Sequence, residues 1–488
     1  MSHSAAEAAG QGYLDAAWFL PAIEGPGGFL CLTGWFCLPG PPHRPLIGAL
    51  DFAGEEFRFP CDLPRVDVSG ADARFSLHSG FDVVLPLPGV PDEPLPLRLL
   101  DRGRECGSLT VRARHPLREA GALRGQLPAR RQRKLDNLIL NERERLSHRI
   151  RINALPVTGQ IDPAFGCNLR CPMCKSQMIR NQGYMLANLD RARLARILDQ
   201  YGETLVRIWL SLWGEPLLNR QLPEIIRMCK EYDIWVMISS NLSVPMSDAA
   251  IGALLDSGID TIMASVDGAS QRVYEQYRRG GSLDLVLHNL HRLAAARARR
   301  GLRRPHLYWR YLVFPWNGHE LEAARRLALE AGADEFGVES GVLIPEMQFP
   351  LDPPQVVPPT RLAPELLAEW RGLARARAGR HQYFGCDYLY NSISINSDGL
   401  AHPCCYVVAP SHALGDAAEP AVALRNAPAA EAGRAALAAL AAGAPGPVTA
   451  APPCDACDVL SACGGHVITQ TSFRLLFEHL VNETPIYW

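Results

Sequence analysis

Residues 165–177 read "FGCNLRCPMCKSQ", which sets Cys167, Cys171 and Cys174 at a C-x3-C-x2-C spacing. A closed structural zinc site takes four protein ligands, and His148, upstream of the triplet, lacks finger-like spacing to it. A disulfide would leave one sulfur over. Three thiolates in one short loop suit three irons of a cubane iron–sulfur cluster and leave the fourth iron open.

The flanking sequence predicts what carries this loop. From 157 to about 345, strand-like segments (TGQIDPA, LVRIWLSLW, IWVMISSN, TIMASVDG, HLYWRYLVF, EFGVESGVL) alternate with helical patterns such as LDRARLARILDQYG and LPEIIRMCKEYD. Such alternation predicts βα units around a parallel sheet, with chemistry at the C-terminal strand ends. The cysteine loop follows the first of these strands. Upstream, short runs between Gly/Pro turns (GGFLCLTGWFCLPG, SGFDVVLPLPG, GSLTVRARHP) predict an all-β sandwich. The basic stretch 127–151 sets Leu135, Leu138, Ile139 and Leu146 at helical spacing, which predicts a connecting helix with solvated charges.

Composition narrows the function classes. The chain has 488 residues, 48% hydrophobic and 20% charged, with a net charge of −2. That balance gives no pull toward nucleic acid or an anionic membrane. No run is long and apolar enough to span a bilayer and the N-terminus lacks a signal-peptide pattern, so a cytoplasmic location is expected. Fourteen cysteines in a reducing compartment are not a disulfide framework. Cys31, Cys37, Cys61, Cys106 and Cys229 are scattered and read as small buried hydrophobes. The others are grouped, as ligands are: three at 167–174, and Cys386, Cys404, Cys405, Cys454, Cys457 and Cys463.

C-x3-C-x2-C after the first strand of such a barrel resembles the signature of radical SAM enzymes. The resemblance implies that the open iron of a [4Fe-4S] cluster chelates S-adenosylmethionine, which is reductively cleaved to a 5′-deoxyadenosyl radical. Further segments support it. "LWGEPLLN" (212–219) resembles the family's Gly-Gly-Glu-Pro turn, with Gly214 kept, Glu215 as partner of the cofactor ammonium, and Trp213 in place of the first glycine. "ISSN" (238–241) implies Ser239 and Asn241 near the ribose. "ASVDG" with "YEQYRRGG" implies Ser265 and Arg279 near the methionyl carboxylate, a task suited to a guanidinium. Met173 takes the position whose backbone lies near the adenine.

Cys386, Gly399 and Cys404 followed by Cys454, Cys457 and Cys463 resemble a SPASM or shorter twitch domain, which implies at least one auxiliary [4Fe-4S] cluster. "SINSDG" predicts a hairpin turning at Asp-Gly and bringing Cys386 near Cys404. A zinc ribbon is the alternative for these thiols. The expected architecture is α/β: a β-sandwich recognition module (1–116), a basic linker helix (117–152), a partial (β/α)6 TIM-like barrel as radical SAM core (153–348), a connector (349–380), a SPASM/twitch domain (381–470) and a tail (471–488). The expected activity is that of a radical SAM oxidoreductase supplied by a flavodoxin or ferredoxin. Its substrate, a small molecule or peptide, is expected to be carbohydrate-linked or cell-surface related and to undergo oxidation or epimerisation, from the look of the N-terminal strands. A peptide-modifying maturase and a non-catalytic iron–sulfur redox sensor are the alternatives. No catalytic acid or base is assigned; Tyr274, Tyr311, Arg310 and His319 lie near strand ends or helix starts without an assigned role.

Overall fold

A computed structural model describes residues 11–38, 46–61, 63–64, 78–164, 166–172, 174, 176, 188–314, 316–340, 388–405, 413–441 and 470–486. Strands β1 (Gln11–Pro21), β2 (Gly28–Cys37), β3 (Leu46–Phe52), β4 (Glu55–Cys61), β5 (Leu63–Pro64), β6 (His78–Leu87), β7 (Leu95–Asp101) and β8 (Arg104–Val111) come first. They pair as two antiparallel sheets, β1-β2-β6-β5 and β4-β3-β7-β8. Side chains alternate across a strand. Phe19, Leu30, Leu32 and Leu85 therefore meet Leu50, Phe57, Phe59 and Leu97 in one core, while Trp18, Leu20, Cys31 and Val84 point the other way into a second. Helices α1 (Pro116–Ala122) and α2 (Ala129–Leu146) follow.

Six parallel strands then line up in chain order: β9 (Thr158–Ile161), β10 (Arg207–Trp209), β11 (Trp235–Ser240), β12 (Thr261–Ser265), β13 (His306–Val313) and β14 (Glu335–Ser340). Between them run α3 (Arg191–Tyr201), α4 (Leu222–Glu231), α5 (Asp248–Asp256), α6 (Gln271–Tyr277), α7 (Leu283–Arg299) and α8 (Leu321–Glu330). Every strand and helix expected from the alternation is present, and together they form a partial TIM-like α/β core. Asp190, Ser247, Ser270 and Ser282 cap α3, α5, α6 and α7 by accepting from backbone N–H groups of the first turn. One sheet face, with Ile161, Ile208, Val236, Ile238, Ile262, Leu307 and Trp309, packs against the helices. The other carries Trp209, Met237, Met263 and Tyr308.

The C-terminal region departs from expectation. Strand β15 (Ser392–Ile395) pairs parallel to β9, and β16 (Leu400–His402) and β17 (Gly415–Asp416) follow antiparallel, giving one nine-stranded sheet. The described part of 381–470 thus extends the core sheet rather than forming a separate unit. An otherwise unpaired edge at β9 explains why, since the buried run SISI satisfies its backbone groups. The turn forms at Asn396–Gly399 as expected, with Gly399 at φ +89° donating its N–H to the Asn396 carbonyl at 2.9 Å. Ser394 pairs with His402. Continuing that register sets Ser392, not Cys386, across from Cys404; Cys386 itself lies outside the described residues.

Buried arginines weld this segment down. After α9 (Tyr388–Asn391) come α10 (Ala421–Arg425) and α11 (Pro428–Ala441). Arg425 donates to the carbonyls of Ser392 and Tyr390, and Arg434 to those of Ile150 (2.6 Å), Leu389 (3.2 Å) and Arg425 (2.7 Å). Replacing Arg434 with leucine removes the donor from two buried carbonyls and one partly buried one, each buried loss costing about 1–3 kcal/mol. Arg434→Leu is expected to lower unfolding free energy by about 3–5 kcal/mol. A urea midpoint within error of wild type would refute this.

Residues of 117–152, expected as a solvated linker helix, and of 471–488, expected as a tail, pack against the rest of the protein. Helix α12 (Gln470–Asn482) packs Phe473, Leu476, Phe477 and Leu480 against Leu135, Leu138 and Ile139 of α2, Trp18 and Val84 of the N-terminal sheet, and Trp235 of β11. Several α2 charges are buried. The Lys134 ammonium donates to the carbonyls of Leu205, Tyr232 and Asp233 at 2.6, 2.6 and 2.9 Å. Glu144 accepts from the N–H groups of Asn153 and Ala154, and Arg145 pairs with Glu142. Their partners lie far away in sequence, so helical periodicity alone could not reveal them. Among the described residues no helix is long and apolar enough to cross a membrane.

Candidate active site

The first strand delivers the cysteine loop to the C-terminal edge of the sheet. Cys167 and Cys174 are half-buried and Cys171 is 6% exposed, and none of the three forms a disulfide. They pack with Leu169, Leu312, Tyr277, Phe314 and Trp316 in a small apolar cluster. Phe314 stacks on Trp316 with ring centroids 4.7 Å apart and lies 4.6 Å from Tyr277. Burial pushes the Cys167 thiol up to about 11 and Cys171 up to about 12. The Leu169 N–H, 3.4 Å from Cys167 Sγ, opposes that penalty; Asn241 Nδ2 lies 3.8 Å from the same sulfur and Ser176 Oγ 3.1 Å from Cys174 Sγ. The charge of Arg278 also favours the Cys171 thiolate.

These features test whether an iron–sulfur cluster fits. Among the described residues no three His, Cys, Asp or Glu side chains converge on a point that a single metal ion could occupy. The three thiols nonetheless lie near enough for each charge to bear on its neighbours. Three neighbouring sulfurs in an apolar wall with N–H and O–H donors suit separate irons of one cluster.

Around the loop the strand ends bring most of the expected residues together. Glu215 is 2% exposed. Its carboxylate accepts from Ser240 Oγ (2.7 Å), Asn241 N–H (2.8 Å) and Leu217 N–H (3.1 Å), and burial raises its pKa. Asn241 also donates to Asn168 Oδ1 at 3.0 Å, tying the end of β11 to the cysteine loop. Ser239 Oγ and Ser265 Oγ, at the ends of β11 and β12, are 3.0 Å apart. The arginine pair differs from expectation: Arg279 is exposed, while Arg278 turns inward, donates to Asp267 Oδ2 at 2.6 Å and lies 5.0 Å over the Tyr277 ring. Against the cost of burial, Asp267 and Cys171 hold Arg278 well above its ordinary range. Met173, Cys386, Cys454, Cys457 and Cys463 lie outside the described residues, and Cys404 is half-buried near the opposite edge of the sheet.

Sequence reasoning missed Asp162, Asn168, Ser240 and Asp267. Asp162 is 1% exposed, just past β9, and accepts from Trp213 N–H (3.1 Å) and Gly214 N–H (3.2 and 3.1 Å to its two oxygens). Burial pushes it up to about 7, against the pull of those amides, and Glu215 adds to the rise. An aspartate placed directly after the strand TGQI, at its C-terminal end, was the available signal. Tyr311 donates to the Asn317 carbonyl at 2.9 Å inside the core, a structural position.

The sequence model of the Radical SAM superfamily matches residues 161–328. GTP 3′,8-cyclase of Chlorobaculum tepidum is 26% identical over 129 residues, covering 26% of this chain and 38% of that protein. The same enzyme of Limosilactobacillus fermentum is 27% identical over 125 residues, covering 25% and 36%. The match thus spans less than two fifths of the length of either relative. Among solved structures, Streptococcus suis SuiB bound to S-adenosylmethionine has 14% identity and a TM-score of 0.42, covering 58% of this chain and 69% of that one. The cysteine loop, the glutamate turn and strands β10 to β13 all lie inside the span that matches the Radical SAM superfamily.

Proposed function

We propose that this protein cleaves S-adenosylmethionine reductively and uses the resulting radical to abstract hydrogen from a substrate, as a radical SAM oxidoreductase. The observation that carries the reading is the convergence of three thiols with Glu215, Ser239, Asn241 and Ser265 at neighbouring strand ends. When bound, a [4Fe-4S] cluster supplies the electron for that cleavage. Cys167, Cys171 and Cys174 would hold it, and Asn241 and Ser176 would donate to the Cys167 and Cys174 sulfurs. Tyr277, Phe314 and Trp316 screen the loop from water. Glu215 supplies buried negative charge toward an ammonium, and the paired hydroxyls of Ser239 and Ser265 offer donors to the polar parts of the cofactor. Arg278 rather than Arg279 is the inward cation of this end of the barrel.

Cys404 with Cys386, Cys454 and Cys457, and Cys463 as a possible fifth ligand, would hold an auxiliary cluster. The carbohydrate-linked substrate rests on the look of the N-terminal strands; a peptide substrate is the alternative within the same chemistry. Anaerobic reconstitution followed by iron counting and an assay for 5′-deoxyadenosine tests the reading. Deoxyadenosine formation with about eight irons per chain supports two clusters, and about four leaves the C-terminal thiols to zinc or to none. Bound iron without deoxyadenosine under strong reductant would support the sensor alternative instead.

A further inference from the structure

We infer that Asp162 is a positioning residue that locks the turn 212–215, the cofactor-ammonium side of the site, to the stem of the cysteine loop. This rests on the functional reading above and adds a residue to it. Asp162 does not touch the thiols. Both of its oxygens instead receive backbone N–H groups from Trp213 and Gly214. The next amide, Glu215 N–H, donates to the Gly166 carbonyl at 2.9 Å. Three consecutive amides, of Trp213, Gly214 and Glu215, are therefore turned toward Asp162 and Gly166 ahead of Cys167. Gly214 packs so closely on that stem that a Cβ would lie 1.2 Å from the Ala164 carbonyl oxygen.

Asp162 is itself fixed from the other side. Its own N–H donates to the Ile395 carbonyl at 2.9 Å, so β15 sets its height along β9. A buried carboxylate facing successive backbone amides is a strong directional acceptor. With the N–H groups committed to Asp162, planarity of the peptides turns their carbonyls away from the stem. Asp162 thereby sets the register between Glu215, which is held in turn by Ser240 and Asn241, and the sulfurs. The device couples the two halves of the site without contacting either ligand.

The test measures S-adenosylmethionine binding to the reconstituted full-length chain by equilibrium dialysis, alongside iron content and the change in the reduced cluster's electron paramagnetic resonance spectrum on adding the cofactor. Asp162→Asn keeps the size but loses the charge and turns an NH2 toward a backbone donor. Affinity is expected to fall about tenfold or more, the loss of one buried charge-assisted hydrogen bond, with iron content at the wild-type level and a weakened spectral response. Asp162→Ser, which leaves room for a water, is expected to shift affinity in the same direction. Unchanged affinity in both variants overturns the inference. Loss of iron together with affinity in both also overturns it, because Asp162 would then be a general core residue. Wild-type protein that binds iron but not S-adenosylmethionine would instead overturn the functional reading.

Discussion

Replacing Gly214 with alanine is expected to lower the rate of 5′-deoxyadenosine formation by at least about 100-fold, the scale on which misplacement by roughly 1 Å acts on an oriented site. The added methyl would lie 1.2 Å from the Ala164 carbonyl oxygen, a backbone atom that cannot rotate aside. Ordinary contact needs roughly 3.5 Å, so the turn must move by roughly 2 Å. That movement breaks the Asp162 contacts to the Trp213 and Gly214 amides and carries Glu215 away from Ser240 and Asn241. A single-turnover assay on protein of matched iron content reads the effect. A variant within threefold of wild type would mean that the turn does not hold this position when the enzyme works.

Cys171→Ala is expected to abolish deoxyadenosine formation and iron binding at the first site, because Cys171 is the most buried of the three thiols and its thiolate is favoured by the Arg278 charge. Cys404→Ala is expected to leave cofactor cleavage measurable while removing up to about four irons, one cluster's worth. The contrast follows from where the fold puts them. Cys404 falls level with Ser392, which pairs with Thr158 at the start of β9, whereas the loop bearing Cys171 follows the end of that strand. The strand length alone separates these levels by roughly 10–13 Å. Equal loss of cleavage in both variants would remove the separate roles assigned to the two groups.

Legibility in the sequence followed the range of the interactions. The six barrel strands and their helices were readable because alternation and amphipathic spacing are local, and serine and aspartate caps mark four helix starts. Glu215, Ser239, Asn241 and Ser265 were readable because each occupies a motif at a strand end. Asp162 was not, since its partners lie some fifty positions away on a turn that only the folded sheet brings near. Arg278 and Arg279 are adjacent in sequence, and only Asp267 and the Tyr277 ring decide which one turns inward. Likewise, SISI reads as half of an isolated hairpin until β9 is seen to have a free edge. Lys134 reads as a solvated charge until its three carbonyl acceptors are in place.

The second face of the N-terminal sheet carries a consequence for biosynthesis. Trp18 lies 5.7 Å from Phe473, Arg474 reaches the Asp15 carbonyl, and Arg114 pairs with Glu478. A nascent chain thus leaves Trp18, Leu20 and Val84 without their α12 cover for roughly 400 residues of synthesis, on the order of a minute at ribosomal rates. During that interval the sheet has one finished core and one exposed apolar flank, a surface that invites chaperones or self-association.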